Sequence, residues 1–160
     1  MFNTIIIENF FENFEYLENH FKKIPLFNFK NYPKKHLSVE NETWPGQRSL
    51  PLQNEHPFLT QLMIREVMQK SDSQNLFNRP WRVNASVHLR LDEDDEKDFI
   101  HTDPSDLTMI VFLAKTNLNS GLNLYNNESN ETVHIKYVQN RAVIFHSRRL
   151  HKSHLNFSYF

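Results

Sequence analysis

The stretch FIHTDPSDLTMIVFLA, residues 99–114, puts a histidine and an aspartate two positions apart, His101 and Asp103, at the mouth of a strongly apolar run. In extended backbone, residues i and i+2 point to the same side. His101 and Asp103 can therefore offer an imidazole nitrogen and a carboxylate oxygen to one point, while Thr102 points away. The run LTMIVFLA reads as a strand, with Leu107, Met109, Val111 and Leu113 as its packing stripe and Thr108 and Met109 placed to border a pocket. An H-x-D pair also suits an exposed bend in which Asp103 caps the turn before Pro104, so metal chemistry requires a third ligand from elsewhere.

Such a ligand is available downstream. The segment NRAVIFHSRRLHKSH, residues 140–154, ends an apolar strand and supplies His146, His151 and His154. A strand followed by a turn containing His can carry a ligand across a sandwich to meet His101 and Asp103, with His146 as a reserve. Two His and one carboxylate on one face, with the opposite positions open, suit Fe(II) enzymes that bind a co-substrate and O2. The chain has no cysteine, which removes disulfides, thiolate nucleophiles and Cys-based zinc sites together.

From Trp81 onward the pattern is alternating or continuously apolar, and the predicted strands are residues 82–91, 98–103, 107–114, 122–127, 131–138 and 141–147. Strands this short and evenly spaced, with turns rich in Asp, Asn, Ser, Pro and Gly, predict a sandwich or jelly roll. Gly121 serves a positive φ or a close backbone approach. Ahead of this β-region, residues 4–10 read as a strand, and residues 11–24 and 54–70 as amphipathic helices. Residues 25–51, with four prolines, read mostly as loop, with a turn at Trp44-Pro45-Gly46. The acidic run LDEDDEKD, residues 91–98, reads as a solvated hairpin loop. These elements predict one α+β domain over 1–160, divided into a strand, helices and loops (1–80) and a β-core (81–160), with the helices bracing the core.

At 160 residues with 39% apolar residues, the chain can bury a sizeable core. A formal charge of −1 gives no bulk electrostatic reason to expect nucleic acid or an anionic membrane as partner, which leaves a small molecule or a peptide. The N-terminus lacks the basic and long apolar regions of a signal peptide, and no run reaches the roughly 18 apolar residues of a membrane span, so a cytoplasmic location is expected.

In order, HTDPSDLTMIVFLA, GLNLY and QNRAVIFHSRRLHKS resemble the HxD…G…NR-hydrophobic-F…H core of the Fe(II)- and 2-oxoglutarate-dependent dioxygenases. The likeness is to their prolyl-4-hydroxylase-like members from phages and bacteria. WPGQRS, residues 44–49, resembles the stretch that precedes the barrel in many of them. The resemblance spans roughly residues 40–155 and implies a double-stranded β-helix, or distorted jelly roll. It implies His101, Asp103 and His151 as iron ligands, with 2-oxoglutarate and O2 as co-substrates and ascorbate as an accessory reductant. The activity implied is hydroxylation coupled to decarboxylation of 2-oxoglutarate to succinate, in the cytoplasm of a bacterial or phage-infected host cell.

The family usually anchors the far carboxylate of 2-oxoglutarate on an Arg about ten residues after the distal His. Here that position falls just past Phe160, nine residues after His151, so either the chain is truncated or another cation serves. Lys115 is the first candidate, with the side parity of Asp103, and Arg149 and Arg141 follow. Tyr125 either touches the co-substrate or fills the barrel, and Arg48 either faces the substrate cleft or belongs to a structural turn. The competing expectation is a catalytically impaired, cupin-like metal-binding β-helix without the anchoring Arg.

Overall fold

The computed structural model describes residues 3–36, 44–71, 81–91, 94, 98–126 and 131–156. It is a mixed α/β structure with nine strands in three antiparallel sheets and few helices among the described residues. The strands are β1 (Ile5–Ile7), β2 (Leu26–Asn28), β3 (Gln47–Ser49), β4 (His88–Leu89), β5 (Leu107–Val111), β6 (Asn117–Tyr125), β7 (Thr132–Tyr137), β8 (Ala142–His146) and β9 (His151–His154). The helices are α1 (Phe14–Phe21), α2 (Leu52–Glu55) and α3 (Pro57–Lys70), with 3-10 turns at Phe29–Asn31 and Lys34–His36. The chain divides into two compact units, residues 1–14 with 98–160 and residues 15–97.

The first unit holds two sheets, ordered β1-β8-β5 and β7-β6-β9. Strand β8 is central in its sheet, with Ala142, Val143, Ile144 and Phe145 all buried. A strand covered on both faces has no polar side to alternate with, hence the unbroken AVIF. Phe112, Leu122, Leu124, Ile135, Val143 and Phe145 form one buried cluster, joined by Ile110 and Tyr137. Full burial of such side chains contributes about 1.5–3 kcal/mol each, so this cluster is the main apolar support of the unit. In β5 the residues facing it are of even number. Leu107, Met109 and Val111 lie on the other side, where Met109 and Val111 register with Ile144 and Ala142 and, through them, with Ile5 and Ile7 of β1. The expected stripe is therefore a packing stripe, half-buried beside β1 and away from the main cluster.

Asn140 fastens the N-terminal segment. Its backbone takes φ 61°, a left-handed conformation that asparagine tolerates better than most residues. Its side chain accepts from the Phe11 amide at 2.8 Å and donates to the Phe11 carbonyl at 2.9 Å, while its carbonyl accepts from the Phe10 amide at 2.8 Å. Phe10 and Phe11 are thereby held buried. Replacing Asn140 with Ala removes both side-chain hydrogen bonds to the Phe11 backbone and puts at positive φ a residue that tolerates it less well. The expected loss is about 2–4 kcal/mol, read as a lower urea midpoint.

In the second unit β3 is central in the sheet β2-β3-β4, entered through Gly46 at φ 77°, where the turn was expected. Buried Trp44 meets Phe29 and Tyr32 with ring centres 5.4 and 4.8 Å away, and the Arg48 guanidinium lies 4.2 Å from its ring centre. The latter contact supports a structural part for Arg48. The helix expected over 54–70 is broken at His56, because Pro57 lacks an amide hydrogen and disfavours helical backbone in the residue before it. The helix expected over 11–24 shortens to α1, whose Leu17 and Phe21 are buried one turn apart.

Two expected strands are corrected. Within residues 82–91 only β4 forms, and this segment belongs to the second unit. Residues 98–103 form no ladder and make a single antiparallel bridge, His101 to His151. The acidic run 91–98 lies mostly outside the described residues. Among the described residues no helix is long and apolar enough to cross a membrane.

Candidate metal centre

The site is assembled by backbone pairing before any side chain is considered. The His101 amide donates to the His151 carbonyl at 3.0 Å, and the His151 amide donates to the His101 carbonyl at 2.9 Å. Residues that exchange both bonds stand directly opposite, with their side chains on the same side. Two residues on, the Asp103 amide donates to the Ser147 carbonyl at 3.0 Å, so the carboxylate follows on the His101 face. His151 opens β9 opposite Leu124 of β6, and its ring centre lies 4.9 Å from that of Phe145. The distal His thus opens a strand; the expected turn is the Ser147–Leu150 connection before it.

One ligand atom from each of His101, Asp103 and His151 lies within 4.8 Å of the others. The Asp103 carboxylate is 3.9 Å from His101 Nε2 and 3.5 Å from His151 Nε2, and the two imidazole centres are 4.4 Å apart. Both tautomers are fixed by carbonyls, which can only accept. His101 Nδ1–H donates to the Phe99 carbonyl at 2.9 Å, and His151 Nδ1–H donates to the Arg149 carbonyl at 2.9 Å. Each Nε2 lone pair is left for an ion.

These three residues form a candidate metal centre. No family model and no curated protein matches the chain. The donor set, two neutral imidazoles and one carboxylate, fits a divalent first-row ion such as Fe(II). Imidazoles with their outer nitrogens already bonded need no rearrangement to receive it. His151 is buried and the side chains of His101 and Asp103 are about one-third exposed, so the centre has a closed side and an open side.

Burial lowers the His151 pKa, while its bond to the Arg149 carbonyl and the nearby Asp103 pull it partly back. The ring is therefore neutral at pH 7. The sign of the linkage follows from the unfolded chain taking up the proton first. The stability associated with the neutral ring is present above the ordinary histidine value of about 6.5 and is lost as pH falls through the lowered folded value.

A hydroxyl chain stands behind Asp103. Thr108 Oγ1 donates to Asp103 Oδ2 at 2.6 Å, Ser147 Oγ lies 2.8 Å from Thr108 Oγ1 and 2.9 Å from Ser105 Oγ, and Ser105 Oγ donates to the Leu107 carbonyl at 3.2 Å. Thr108 is legible in the sequence as a pocket-bordering residue. Ser147 is not, because its position follows from strand register. Substituting Thr108 with the near-isosteric Val removes the donor and keeps the volume. The expected result is metal affinity weaker by about tenfold, with the far-ultraviolet circular dichroism unchanged.

The other expected site residues have the following partners and positions. The Arg149 guanidinium donates to Thr4 Oγ1 at 3.0 Å and to the Tyr125 carbonyl at 3.4 Å. Tyr125 ends β6 on the opposite face from buried Leu124, and its amide donates to the Leu150 carbonyl. Lys115 is exposed, past the end of β5. Arg141 pairs with Glu8 at 2.6 Å. His146 is exposed at the end of β8, where its Nδ1 accepts from the Arg148 amide at 3.2 Å.

Proposed function

We propose that this chain is an Fe(II)- and 2-oxoglutarate-dependent oxygenase that hydroxylates a small-molecule or peptide substrate, with a distorted jelly roll as its scaffold. One observation carries the reading. His101 Nε2, His151 Nε2 and the Asp103 carboxylate converge from a single cross-strand pair, with both imidazoles already turned to the ligating tautomer. Two facing sheets whose buried residues form one cluster support the scaffold.

In this reading His101, Asp103 and His151 would hold the iron, and the carboxylate would offset part of its charge. The bound iron supplies the activation of O2, with 2-oxoglutarate as reductant, and this chemistry belongs to the cofactor pair. The protein orients and shields. Thr108 holds one carboxylate oxygen of Asp103, and the Phe99 and Arg149 carbonyls hold the imidazole protons away from the ion. Buried His151 and Phe145 exclude water from one side, and the exposed edges of His101 and Asp103 face the side on which co-substrate and substrate would arrive.

A second reading, a metal-binding barrel that does not take 2-oxoglutarate, is favoured by one feature of the structure. Arg149 already donates to Thr4 Oγ1 and the Tyr125 carbonyl, an engagement that a co-substrate carboxylate would have to share.

Anaerobic addition of Fe(II) and then 2-oxoglutarate separates the two readings. The oxygenase reading expects a weak visible charge-transfer band when the keto acid chelates the ion. It expects that band to vanish in the Asp103→Ala variant. Iron binding with no band at millimolar 2-oxoglutarate leaves the second reading, and no iron binding overturns both.

A further inference from the structure

The outer face of the sheet β7-β6-β9 carries a second histidine pair. Asn123 of β6 registers with His134 on one side and Lys152 on the other, and Gly121 registers with Lys136 and His154. Registered residues share a face, and this face is opposite to that of buried Leu122, Leu124 and Ile135.

Strands β7 and β9 flank β6, so their backbones are about 9.5 Å apart at ordinary strand spacing. Yet the rings of His134 and His154 have centres only 5.1 Å apart, with planes at 88°. They can close over β6 because Gly121 has no side chain. A β-carbon there would lie 3.2 Å from His134 Cε1. Asn123 Oδ1 accepts from His134 Nδ1–H at 2.8 Å, which fixes the ring and leaves its Nε2 lone pair free.

An imidazole nitrogen sits about 2.0–2.1 Å from a bound zinc, and its ring centre about 1.1 Å further, so two imidazoles at a tetrahedral angle have centres about 5.2 Å apart. The observed separation of 5.1 Å matches this.

We propose that His134 and His154, closed over Gly121, bind a borderline divalent transition ion of the Cu(II), Ni(II) or Zn(II) class at a solvent-exposed site separate from the His101–Asp103–His151 centre. Asn123 is the orienting residue, and water completes the coordination. The ion links β7 to β9 across β6.

Lys136 and Lys152 share the face and repel a dication. The site is therefore expected to be weaker than the centre with the carboxylate, and to favour Cu(II), the tightest binder of imidazole among these ions.

The test is a Cu(II) titration of the whole chain by equilibrium dialysis, with proton spectra of the histidine ring hydrogens followed for paramagnetic broadening. The wild type is expected to bind two equivalents, with His134 and His154 broadened together as the second enters. His154→Gln and His134→Gln should each weaken that second equivalent at least tenfold. Both residues are exposed, so folding is not at stake. His20→Gln, a control on the surface of the other unit, should change nothing. Asp103→Ala should weaken the first equivalent and spare the second. An unchanged isotherm in both His154→Gln and His134→Gln would overturn the proposal and leave a ring contact alone. So would loss of both equivalents in Asp103→Ala.

Discussion

The Asp103→Ala variant is expected to lose Fe(II) affinity by at least a hundredfold while remaining folded. Removing the carboxylate leaves two neutral imidazoles and no anionic ligand, and the electrostatic attraction for a dication goes with it. The side chain of Asp103 is about one-third exposed, so its truncation opens no buried cavity. His151→Ala is a poorer test, since His151 is buried against Phe145 and its loss adds a packing defect to the missing ligand. Asp103→Glu sharpens the result. The charge is kept, but the longer arm displaces the oxygen that Thr108 holds at 2.6 Å, so affinity should fall between wild type and Asp103→Ala. Anaerobic equilibrium dialysis gives the affinities, and circular dichroism with urea unfolding checks the fold. An Asp103→Ala protein that binds iron as wild type does would remove the metal centre altogether.

How much of this centre was legible in the sequence depends on what separates its residues. His101 and Asp103 are two apart in extended backbone, and the i, i+2 rule places them on one face although residues 98–103 form no ladder. Parity does not survive a turn. Counting from Asp103 to Lys115 crosses Pro104, Ser105 and Asp106, and beyond them β5 turns its even-numbered residues to the core. Strand β9 was missed because His-Lys-Ser-His has no apolar alternation. Its register comes from β6, a partner some thirty residues earlier, with Leu124 opposite His151. The expected strand over 82–91 failed for the converse reason. Alternation was present, but only His88 and Leu89 enter a ladder, with β3, while Ala85 and Val87 accept single backbone bonds from Leu52 and Ser49. The helix over 54–70 carried its own correction, since Pro57 marks the break. Tautomers are set by main-chain carbonyls, and no residue type announces a carbonyl's direction.

Gly121→Ala is expected to cost about 3 kcal/mol or more, among the largest effects of any single methyl added to this chain. The reason is backbone, which cannot swing aside as a side chain can. An added β-carbon would sit 2.0 Å from the Ile135 carbonyl oxygen and 2.9 Å from its carbon. Relief requires β6 and β7 to part near the irregular register between Asn117 and Gly121. Leu122, Leu124 and Ile135 belong to the main buried cluster, so moving one strand loosens its packing as well as its hydrogen bonds. The effect should reach the metal centre, because Leu124 stands opposite His151 and fixes the start of β9. Urea unfolding is expected to show a midpoint well below wild type. Dialysis of the residual folded protein should show weaker Fe(II) binding, although no ligand has been touched. Leu118→Ala supplies the contrast on the same strand, for Leu118 is exposed and its truncation should change stability by less than about 0.5 kcal/mol. If Gly121→Ala unfolds at the wild-type midpoint, the close approach of β6 to the Ile135 carbonyl is wrong, and with it the register that delivers His151 to Asp103.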